Sequence, residues 1–401
     1  MKVVYSTDNY WPRFSGMAVS IDSFKHELER RGHTIHVFAS EYPGGYEKDR
    51  EMGNENVHRF KAHKTPISDE DRLVNRSEKD KVWRKLDEIS PDIIHVQTEF
   101  SLCKMVKKYG LKKDIPLVMT CHTYFEQYIN HYVPWLPKGL ARWIARRYTY
   151  SFYHTNDRLI TPTPLMKEVL RSYGIEKEIS VIPTGIPEED FSGVSKEEEK
   201  NNSMFFESFP ELKGKKLMLF VGRIGGEKNV MFLLPVLKKV SGEVPEVHLM
   251  MVGDGPQKED MRRKSGDLGL SKRISFLGYV DRKDVKHAFT LADIFTFPSK
   301  TETQGLVTVE SMICGTPVVA IGVMGTKNIM KGDNGGYMVT EDIDEFSDRV
   351  IRLFKDEKLY DSKAREARSY SKRWTMKVMG DRMLEIYEGL LKERSGKQSY
   401  P

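Results

Sequence analysis

The sequence predicts an α/β fold built from doubly wound parallel sheets. Short apolar runs rich in β-branched residues alternate with stretches of helical length along the whole chain. A second series of these runs begins after a turn-rich, charged region between residues 183 and 214. The length of 401 residues is sufficient for two domains of ordinary size. We therefore expect two such domains facing each other across a cleft at the carboxyl ends of their strands.

The predicted elements follow in chain order. The first series of strands covers residues 3–6, 34–38, 93–96, 117–120, 158–160 and 180–182. The second series covers residues 216–221, 247–252, 274–277, 294–297 and 317–321. Helices are predicted at 18–31, 79–89 and 306–313, from 138 onward, and through the tail from 342. The N-terminal domain should cover residues 1–190 and the C-terminal domain residues 191–373.

Composition sets broad limits on function. The chain is 39% hydrophobic and 30% charged, as is usual for a globular enzyme. Its three cysteines, Cys103, Cys121 and Cys314, are too far apart for a disulfide framework or a metal-ligand spacing, which favours a reducing, intracellular location. The first residues predict a strand rather than a signal peptide. No run of the sequence approaches the roughly 18–20 apolar residues that a membrane-spanning helix needs. A net charge of +6 permits an anionic substrate or membrane surface without requiring one.

The most informative stretch runs from the predicted strand at 294–297 to the predicted helix at 306–313. A polar loop closed by Gly305 leaves the N–H groups of Gly305, Leu306 and Val307 unpaired at the carboxyl end of the strand, where they could bind an anion. Two carboxylates frame this anion site, Glu302 in the loop and Glu310 about one turn into the helix. A diphosphate flanked by two polyols, as in a nucleotide sugar, would satisfy all of these groups. The alternative is an ordinary N-capping loop.

The loop after the first strand is bulky and does not contain a GxGxxG pattern. Trp11, Pro12 and Phe14 would keep a dinucleotide pyrophosphate at a distance, which counts against an NAD or FAD oxidoreductase. Gly16 lies just before a helix, so its N–H could face a phosphate or a sugar. Gly16 could equally be a loop glycine that needs only a special backbone angle.

Three further side chains follow predicted strands. His122 comes after the strand at 117–120 and should project into the crevice where α/β domains bind ligands, unless it is a structural histidine. Arg223 and Lys228 lie five residues apart across a glycine-rich turn, so both could reach one diphosphate. Surface charge is the alternative for each of these two cations.

The run from Thr301 to Leu306, with Glu302 and Glu310 separated by seven residues and residues 315–320 following, resembles the signature of family 4 glycosyltransferases. It is most similar to the version found in bacterial synthases that glycosylate diacylglycerol. Matches to the family continue at Gly16, His122, residues 183–186, Arg223 and Lys228. The resemblance implies the GT-B fold, and a C-terminal helix at 374–401 that crosses back to pack on the N-terminal domain.

The resemblance also implies roles for the candidate residues. The catalytic group would be His122, Arg223, Lys228 and Glu302, with His122 contacting the donor sugar. Glu310 would bind the donor ribose, while Gly253, Tyr279 and Val280 would lie near the base. The remaining donor-binding residues would be Gly16, Gln304, Gly305 and Leu306. Many family members have two consecutive glycines where this chain has Ser15 and Gly16.

The family retains the anomeric configuration of the transferred sugar. The resemblance implies a same-face displacement in which the leaving phosphate accepts the proton of the acceptor. We expect neither a cofactor nor a metal ion, because no carboxylate or histidine cluster has metal-ligand spacing and Asp-x-Asp is absent. UDP-glucose is the expected donor, and a membrane lipid such as diacylglycerol or a glycolipid is the expected acceptor.

An aromatic and basic segment between residues 124 and 153 is the candidate for acceptor and membrane contact. As a helix from Lys138, it would place basic side chains in one arc, with Leu140, Trp143, Ile144 and Tyr148 broadly opposite. A sheet-packing helix whose apolar face is core is the alternative. We expect a peripheral protein on the cytoplasmic membrane face that does not bind nucleic acid. The segment's candidate residues are Tyr128, His131, Trp135, Lys138, Arg142, Trp143 and Arg146.

Three other functions are compatible with the sequence. The same fold could glycosylate a soluble small molecule or a surface polymer. It could act as a nucleotide-sugar epimerase, which would consume donor without an acceptor. It could also be a non-catalytic sensor that binds a nucleotide sugar without hydrolysing it.

Overall fold

A computed structural model describes residues 1–65, 71–122, 137–302 and 304–398. The chain forms two compact units. Unit 1 consists of Met1–Gly185 together with the segment from Met376 onward, and unit 2 consists of Ile186–Thr375. Each unit has its own hydrophobic core beside a parallel sheet.

Unit 1 contains a parallel sheet of seven strands within the described residues, in the order β3-β2-β1-β6-β7-β8-β9. The strands are buried on both faces, as expected for a parallel sheet covered by helices. The order reverses direction between β1 and β6. A separate antiparallel hairpin is formed by β4 and β5. The strands are β1 Lys2–Thr7, β2 Thr34–Ser40, β3 Val57–Phe60, β4 Ala62–Lys64, β5 Arg72–Val74, β6 Ile93–Val96, β7 Leu117–Thr120, β8 Arg158–Thr161 and β9 Ile179–Val181.

The helices of unit 1 connect these strands. The first begins at Gly16, two residues before the predicted start, because the Ser15 side chain accepts a hydrogen bond from the N–H of Ala18 at 3.1 Å and caps the helix. The helices are α1 Gly16–Arg30, α2 Gly45–Glu51, α3 Lys79–Ile89, α4 Ser101–Lys113, α5 Lys138–Tyr153 and α6 Pro164–Ser172.

Unit 2 contains a second parallel sheet, with six strands in its described residues in the order β12-β11-β10-β13-β14-β15. Its order reverses between β10 and β13. The strands are β10 Lys216–Val221, β11 Val247–Val252, β12 Ile274–Gly278, β13 Ile294–Phe297, β14 Val318–Ile321 and β15 Gly336–Val339. The helices are α7 Glu188–Phe191, α8 Lys196–Asn202, α9 Leu233–Glu243, α10 Lys258–Asp267, α11 Val285–Leu291, α12 Leu306–Ile313, α13 Met324–Ile329, α14 Ile343–Lys355 and α15 Glu357–Ser371.

The last helix, α16 Met376–Gln398, belongs to unit 1, as the resemblance implied. Tyr387 on this helix is fully buried, and its hydroxyl lies 2.6 Å from Nδ1 of His95 and 3.3 Å from the hydroxyl of Tyr5. Nε2 of His95 lies 2.7 Å from Thr120 Oγ1, so the network joins α16 to β1, β6 and β7. Burial lowers the pKa of His95 to about 3, which leaves the imidazole neutral.

The predicted α/β class and every predicted strand are confirmed. The sequence did not predict β3, the hairpin of β4 and β5, or the edge strand β15. No described helix is both long enough and apolar enough to cross a membrane.

Candidate active site

The predicted donor residues of unit 2 gather where the strand order of its sheet reverses. Parallel α/β sheets bind ligands at this switch point, beyond the carboxyl ends of the two strands that flank it. The loop after β10 carries Arg223 and Lys228, and the loop after β13 carries Glu302. The Thr301 hydroxyl donates a hydrogen bond to the carbonyl of Glu227 at 2.9 Å and thereby joins the two loops.

Lys228 and Glu302 form an ion pair across these two loops. Nζ of Lys228 lies 2.5 Å from Oε2 of Glu302, and both side chains are about four-fifths buried. The backbone of Glu302 is fixed separately, because its carbonyl accepts a hydrogen bond from the N–H of Gly325 at 2.8 Å. The structure therefore unites two of the predicted catalytic residues.

The loop ends at the amino end of α12. Gly305 adopts a left-handed conformation with φ of +71°, and a Cβ there would lie 3.1 Å from the backbone of Gly325. At this end of the helix, the N–H of Thr308 donates a hydrogen bond to the carbonyl of Gly305 at 3.0 Å. The N–H groups of Leu306 and Val307 precede this bond at the amino end of the helix, where backbone N–H groups can bind an anion. Gln304 is half-buried beside them.

Glu310 is buried within α12 and has its own cationic partner. Oε1 of Glu310 lies 3.2 Å from Nη1 of Arg282 in the segment after β12. Burial raises the pKa of Glu310, the negative charges of Glu302 and Asp190 add to the rise, and Arg282 opposes it. The two carboxylates of the signature are thus close enough to interact electrostatically, and each is paired with a different cation.

Arg223 is the predicted catalytic residue of unit 2 that does not join this group. Its side chain is about two-thirds exposed, and Nη1 lies 3.3 Å from Oε1 of Glu227, a member of the same loop. The backbone next to Arg223 is nonetheless closely packed against the turn after β11. Gly253 has a φ of +123°, and a Cβ at this position would overlap the carbonyl oxygen of Gly222 at 2.0 Å.

The predicted base-binding residues lie on neighbouring turns at the same edge of the sheet. The N–H of Gly253 donates to the carbonyl of Gly278 at 2.7 Å, which brings the turns after β11 and β12 together. The next residue, Tyr279, has an 80% exposed side chain, whereas Val280 packs against the core. A flat, exposed aromatic ring therefore stands at the carboxyl edge of the unit 2 sheet.

The predicted residues of unit 1 lie at the carboxyl edge of its own sheet. His122 follows β7, and its Nε2 lies 2.7 Å from Oε1 of Gln97. Nε2 is therefore the donor in this bond and Nδ1 is left as an acceptor. Burial lowers the pKa of His122 to about 4, so the ring is neutral near pH 7. Gly16 is exposed at the first position of α1 and has no atom within 4 Å of where a Cβ would lie.

Helix α5 packs through small and aromatic side chains, including Ala141, Ala145 and Phe152, which are buried. Three large apolar residues of its first half, Leu140, Trp143 and Ile144, are instead exposed. We call this surface the α5 patch, and the exposed Arg147 lies on the same side of the helix. The alternative in which the predicted apolar face is core is wrong for these three residues.

Tyr148 was expected on the same apolar side, but it is half-buried and its hydroxyl donates to the carbonyl of Glu99 at 2.5 Å. Arg142 and Arg146 are exposed on the flank of the α5 patch, and the guanidinium of Arg146 lies 5.4 Å from the ring centroid of Tyr173. Lys138 is the first residue of α5. The predicted residues Tyr128, His131 and Trp135 lie outside the described residues.

Comparisons with known proteins identify the family. Residues 14–190 match the model of Glycosyltransferase Family 4, and residues 202–372 match the model of Glycosyl transferases group 1. The chain is 30% identical over 327 residues to an alpha-monoglucosyldiacylglycerol synthase of Streptococcus pneumoniae, covering 80% of this chain and 71% of that protein. The chain belongs to the family 4 glycosyltransferases. An alpha-monoglucosyldiacylglycerol synthase of Acholeplasma laidlawii is 28% identical, with 80% of each chain covered.

Solved structures of other glycosyltransferases share the GT-B fold with this family member. A glycosyltransferase from Rickettsia africae matches with a TM-score of 0.76 and 16% identity, covering 98% of both chains. HepE from Anabaena, solved in complex with UDP, matches with a TM-score of 0.73 and 18% identity, covering 97% of this chain and all of that one. These similarities establish the fold.

Among the residues that contact candidate site residues, Arg282 and Gln97 were not predicted. Arg282 lies 28 positions before Glu310 and outside any motif. The sequence indicated it only as a cation that comes shortly after a predicted strand. Gln97, which orients His122, follows the strand of His95 by one residue and could have been found by asking what lies at the end of each predicted strand.

Proposed function

We propose that this glycosyltransferase transfers glucose from UDP-glucose, with retention of configuration, to diacylglycerol or a glycolipid at a membrane surface. The observation that carries the proposal is the group of opposed charges formed by Lys228, Glu302, Glu310 and Arg282 beside the amino end of α12. Each carboxylate is paired with its own cation, and a set of cations, carboxylates and helix N–H groups suits a diphosphate flanked by the hydroxyls of a ribose and a sugar.

In this proposal, Glu310 accepts hydrogen bonds from the ribose and Glu302 accepts them from the sugar. Lys228 and the N–H groups of Leu306 and Val307 stabilise the diphosphate as negative charge develops on it. The bond from the anomeric carbon to the diphosphate breaks as the acceptor oxygen bonds to the same face of the sugar. The acceptor's proton passes to the departing phosphate oxygen, so no cofactor or metal ion enters the step.

The donor and acceptor are supported by the relatives. The two curated relatives described above are named for synthesis of alpha-monoglucosyldiacylglycerol, and a further structure of HepE contains UDP-glucose. The α5 patch adds a physical reason for a lipid acceptor, because exposed tryptophan and isoleucine beside arginines suit an anionic membrane surface. Peripheral binding to the cytoplasmic face is therefore part of the proposal.

The test is a donor and acceptor panel with product analysis. Purified protein is incubated with UDP-glucose, UDP-galactose, UDP-N-acetylglucosamine or GDP-mannose, and with vesicles that contain diacylglycerol or its monoglucosyl derivative, or with soluble glycerol. We expect an α-linked glucolipid from UDP-glucose alone, identified by NMR of the anomeric proton.

Other outcomes would decide against the proposal. A β-linked product would contradict retention, and transfer to glycerol without transfer to lipid would contradict the lipid acceptor. Conversion of the donor into another nucleotide sugar without an acceptor would indicate an epimerase. Binding of UDP with neither transfer nor slow donor hydrolysis would indicate a sensor.

A further inference from the structure

Arg282 is held in a defined position although much of its side chain is exposed. Nη1 of Arg282 lies 3.2 Å from Oε1 of Glu310, and its guanidinium carbon lies 5.4 Å from the ring centroid of Phe191. Phe191 is 1% exposed and is therefore a fixed surface for the arginine to stack on. The Arg282 side chain is 57% exposed and that of Glu310 is 11% exposed, so an exposed arginine is paired with a buried carboxylate.

The groups around Glu310 make its negative charge unfavourable. Glu302, Asp190 and the thiol of Cys314 interact with it electrostatically, and all three are acidic. Burial and the two negative charges favour the protonated form of Glu310, and Arg282 is the cation that opposes them. A protonated carboxyl would lose acceptor capacity, whereas a ribose diol supplies two O–H donors that need acceptors.

We propose that Arg282 is a positioning residue that holds Oε1 of Glu310 and leaves Oε2 to accept hydrogen bonds from the ribose hydroxyls of the donor. This inference rests on the proposed function, because it requires a nucleoside diphosphate at Glu310. It adds a residue outside the signature of the family. Arg282 acts through Glu310, so its effect should depend on the ribose hydroxyls of the ligand.

The test compares Arg282→Leu with wild type in binding UDP and 2′,3′-dideoxy-UDP, by calorimetry between pH 6 and pH 8.5. Leucine keeps apolar contact with Phe191 but removes the charge. We expect UDP affinity to fall about tenfold at pH 7, consistent with loss of a charged hydrogen bond. The loss should grow as the pH falls, because without Arg282 the pKa of Glu310 is higher and the carboxylate is protonated sooner.

The dideoxy ligand provides the readout that a merely structural role would not change. It lacks both ribose hydroxyls, so Arg282→Leu should weaken its binding less than twofold, and Arg282→Lys should recover part of the UDP affinity. Arg263→Leu is the matched control, because Arg263 is an exposed arginine of unit 2 that pairs with Asp260, three residues before it, at 2.8 Å. Equal losses for both ligands would overturn the proposal.

Glu310→Gln separates this inference from the proposed function. If Glu310→Gln binds UDP as tightly as wild type, the donor assignment itself fails. If Glu310→Gln binds UDP weakly while Arg282→Leu binds it normally, the donor assignment stands and the role of Arg282 is refuted.

Discussion

At the scale of single residues, the ion pair of Lys228 and Glu302 predicts how the site responds to a change in charge. The Lys228 ammonium and the amino end of α12 are the positive groups we assign to the leaving diphosphate. Lys228→Ala should therefore lower kcat by about 10²-fold, as the loss of one group that stabilises developing charge commonly does. KM for UDP-glucose should change much less, because the interaction strengthens mainly in the transition state. Initial rates at several donor concentrations would separate the two parameters.

Lys300→Ala is the matched control for this prediction. Lys300 lies in the same loop, two residues before Glu302, and its Nζ pairs with both carboxylate oxygens of the exposed Glu341 at 2.9 Å. Exposed ion pairs contribute little to stability, so the control should leave kcat almost unchanged. A rise in KM at constant kcat for Lys228→Ala would assign Lys228 to ground-state binding instead.

Glu99 predicts a pH dependence of stability. This carboxyl is buried in unit 1 and accepts a hydrogen bond from the hydroxyl of Tyr153, and burial raises its pKa to about 7. The pKa of Glu99 is higher in the folded than in the unfolded protein. The contribution of Glu99 to the unfolding free energy is therefore fully present below pH 4.5 and is lost as the pH rises through 7. Glu99→Gln stays neutral and can still accept from Tyr153. It should therefore exceed wild type in unfolding free energy at pH 8 by up to about 3 kcal/mol.

Urea unfolding at pH 4.5, 6, 7 and 8 would measure this difference. The difference between the two proteins should vanish near pH 4.5, where both side chains are neutral. Buried histidines such as His95 titrate in the acid range in both proteins, so their effect cancels in the comparison. A difference that is constant with pH would mean that Glu99→Gln acts through packing rather than charge.

At the scale of elements, helix α5 is the part of unit 1 from which we expect membrane binding. Trp143 is 62% exposed, and Ile144 lies beside it on the α5 patch. The double change Trp143→Glu and Ile144→Glu removes apolar area and adds negative charge. Co-sedimentation with vesicles containing anionic phospholipid should fall at least tenfold, because both the apolar and the electrostatic contributions to interfacial binding are lost.

Leu111→Glu is the control for the α5 patch. Leu111 is 53% exposed on α4 of the same unit and is not part of the patch. It should leave vesicle binding intact, and both variants should retain slow hydrolysis of UDP-glucose in the absence of lipid. Equal vesicle binding by wild type and the double variant would show that the α5 patch does not bind the membrane surface.

Most of the strands that the sequence predicted share one physical property. Strands such as β1, β11 and β14 are buried on both faces, so they appear as continuous apolar runs bounded by turns. The missed strands lie at sheet edges or in a hairpin and are short. The edge strand β15 begins at Gly336, where a Cβ would overlap the carbonyl oxygen of Val318 at 1.9 Å. That requirement for glycine comes from a tertiary contact and cannot be read from local sequence.

The candidate site was predictable to the extent that its residues lie in local motifs. Gly305, Leu306 and the two glutamates belong to one strand–loop–helix unit, whose geometry follows from the order of its residues. Which cation pairs with which carboxylate depends on side-chain packing between distant segments. For that reason the sequence grouped Arg223 with Lys228, whereas the structure pairs Arg223 with Glu227 and brings Arg282 to Glu310.

At the scale of the whole molecule, each unit uses the same topological principle. The strand order reverses between β1 and β6 in unit 1 and between β10 and β13 in unit 2. In each unit, candidate residues follow one or both of these strands. In unit 1, Gln97 follows β6 and contacts His122 beyond the neighbouring strand β7. The chain thus repeats one architecture, with neutral hydrogen-bonding groups at the site residues of unit 1 and paired charges at those of unit 2.

Because each unit has its own core, we expect the two units to unfold in separate transitions. Helix α16 belongs to unit 1 and should stabilise that unit. Tyr387 is fully buried in unit 1 and contacts His95 and Tyr5, so Tyr387→Ala should create a cavity and leave a buried imidazole nitrogen without its partner. The cost should be about 3–5 kcal/mol, against about 1 kcal/mol for Tyr387→Phe. The reciprocal variant Phe346→Ala removes a buried ring from unit 2.

Calorimetry combined with hydrogen exchange can assign each transition to a unit. Tyr387→Ala should lower the transition in which β1 to β9 lose protection and leave the other in place, while Phe346→Ala should do the reverse. Because α16 is the last segment of the chain but part of the first unit, its peptides should exchange with those of β1 and β6 rather than with those of α15. A single transition that moves by the same amount in both variants would show that the two cores unfold as one.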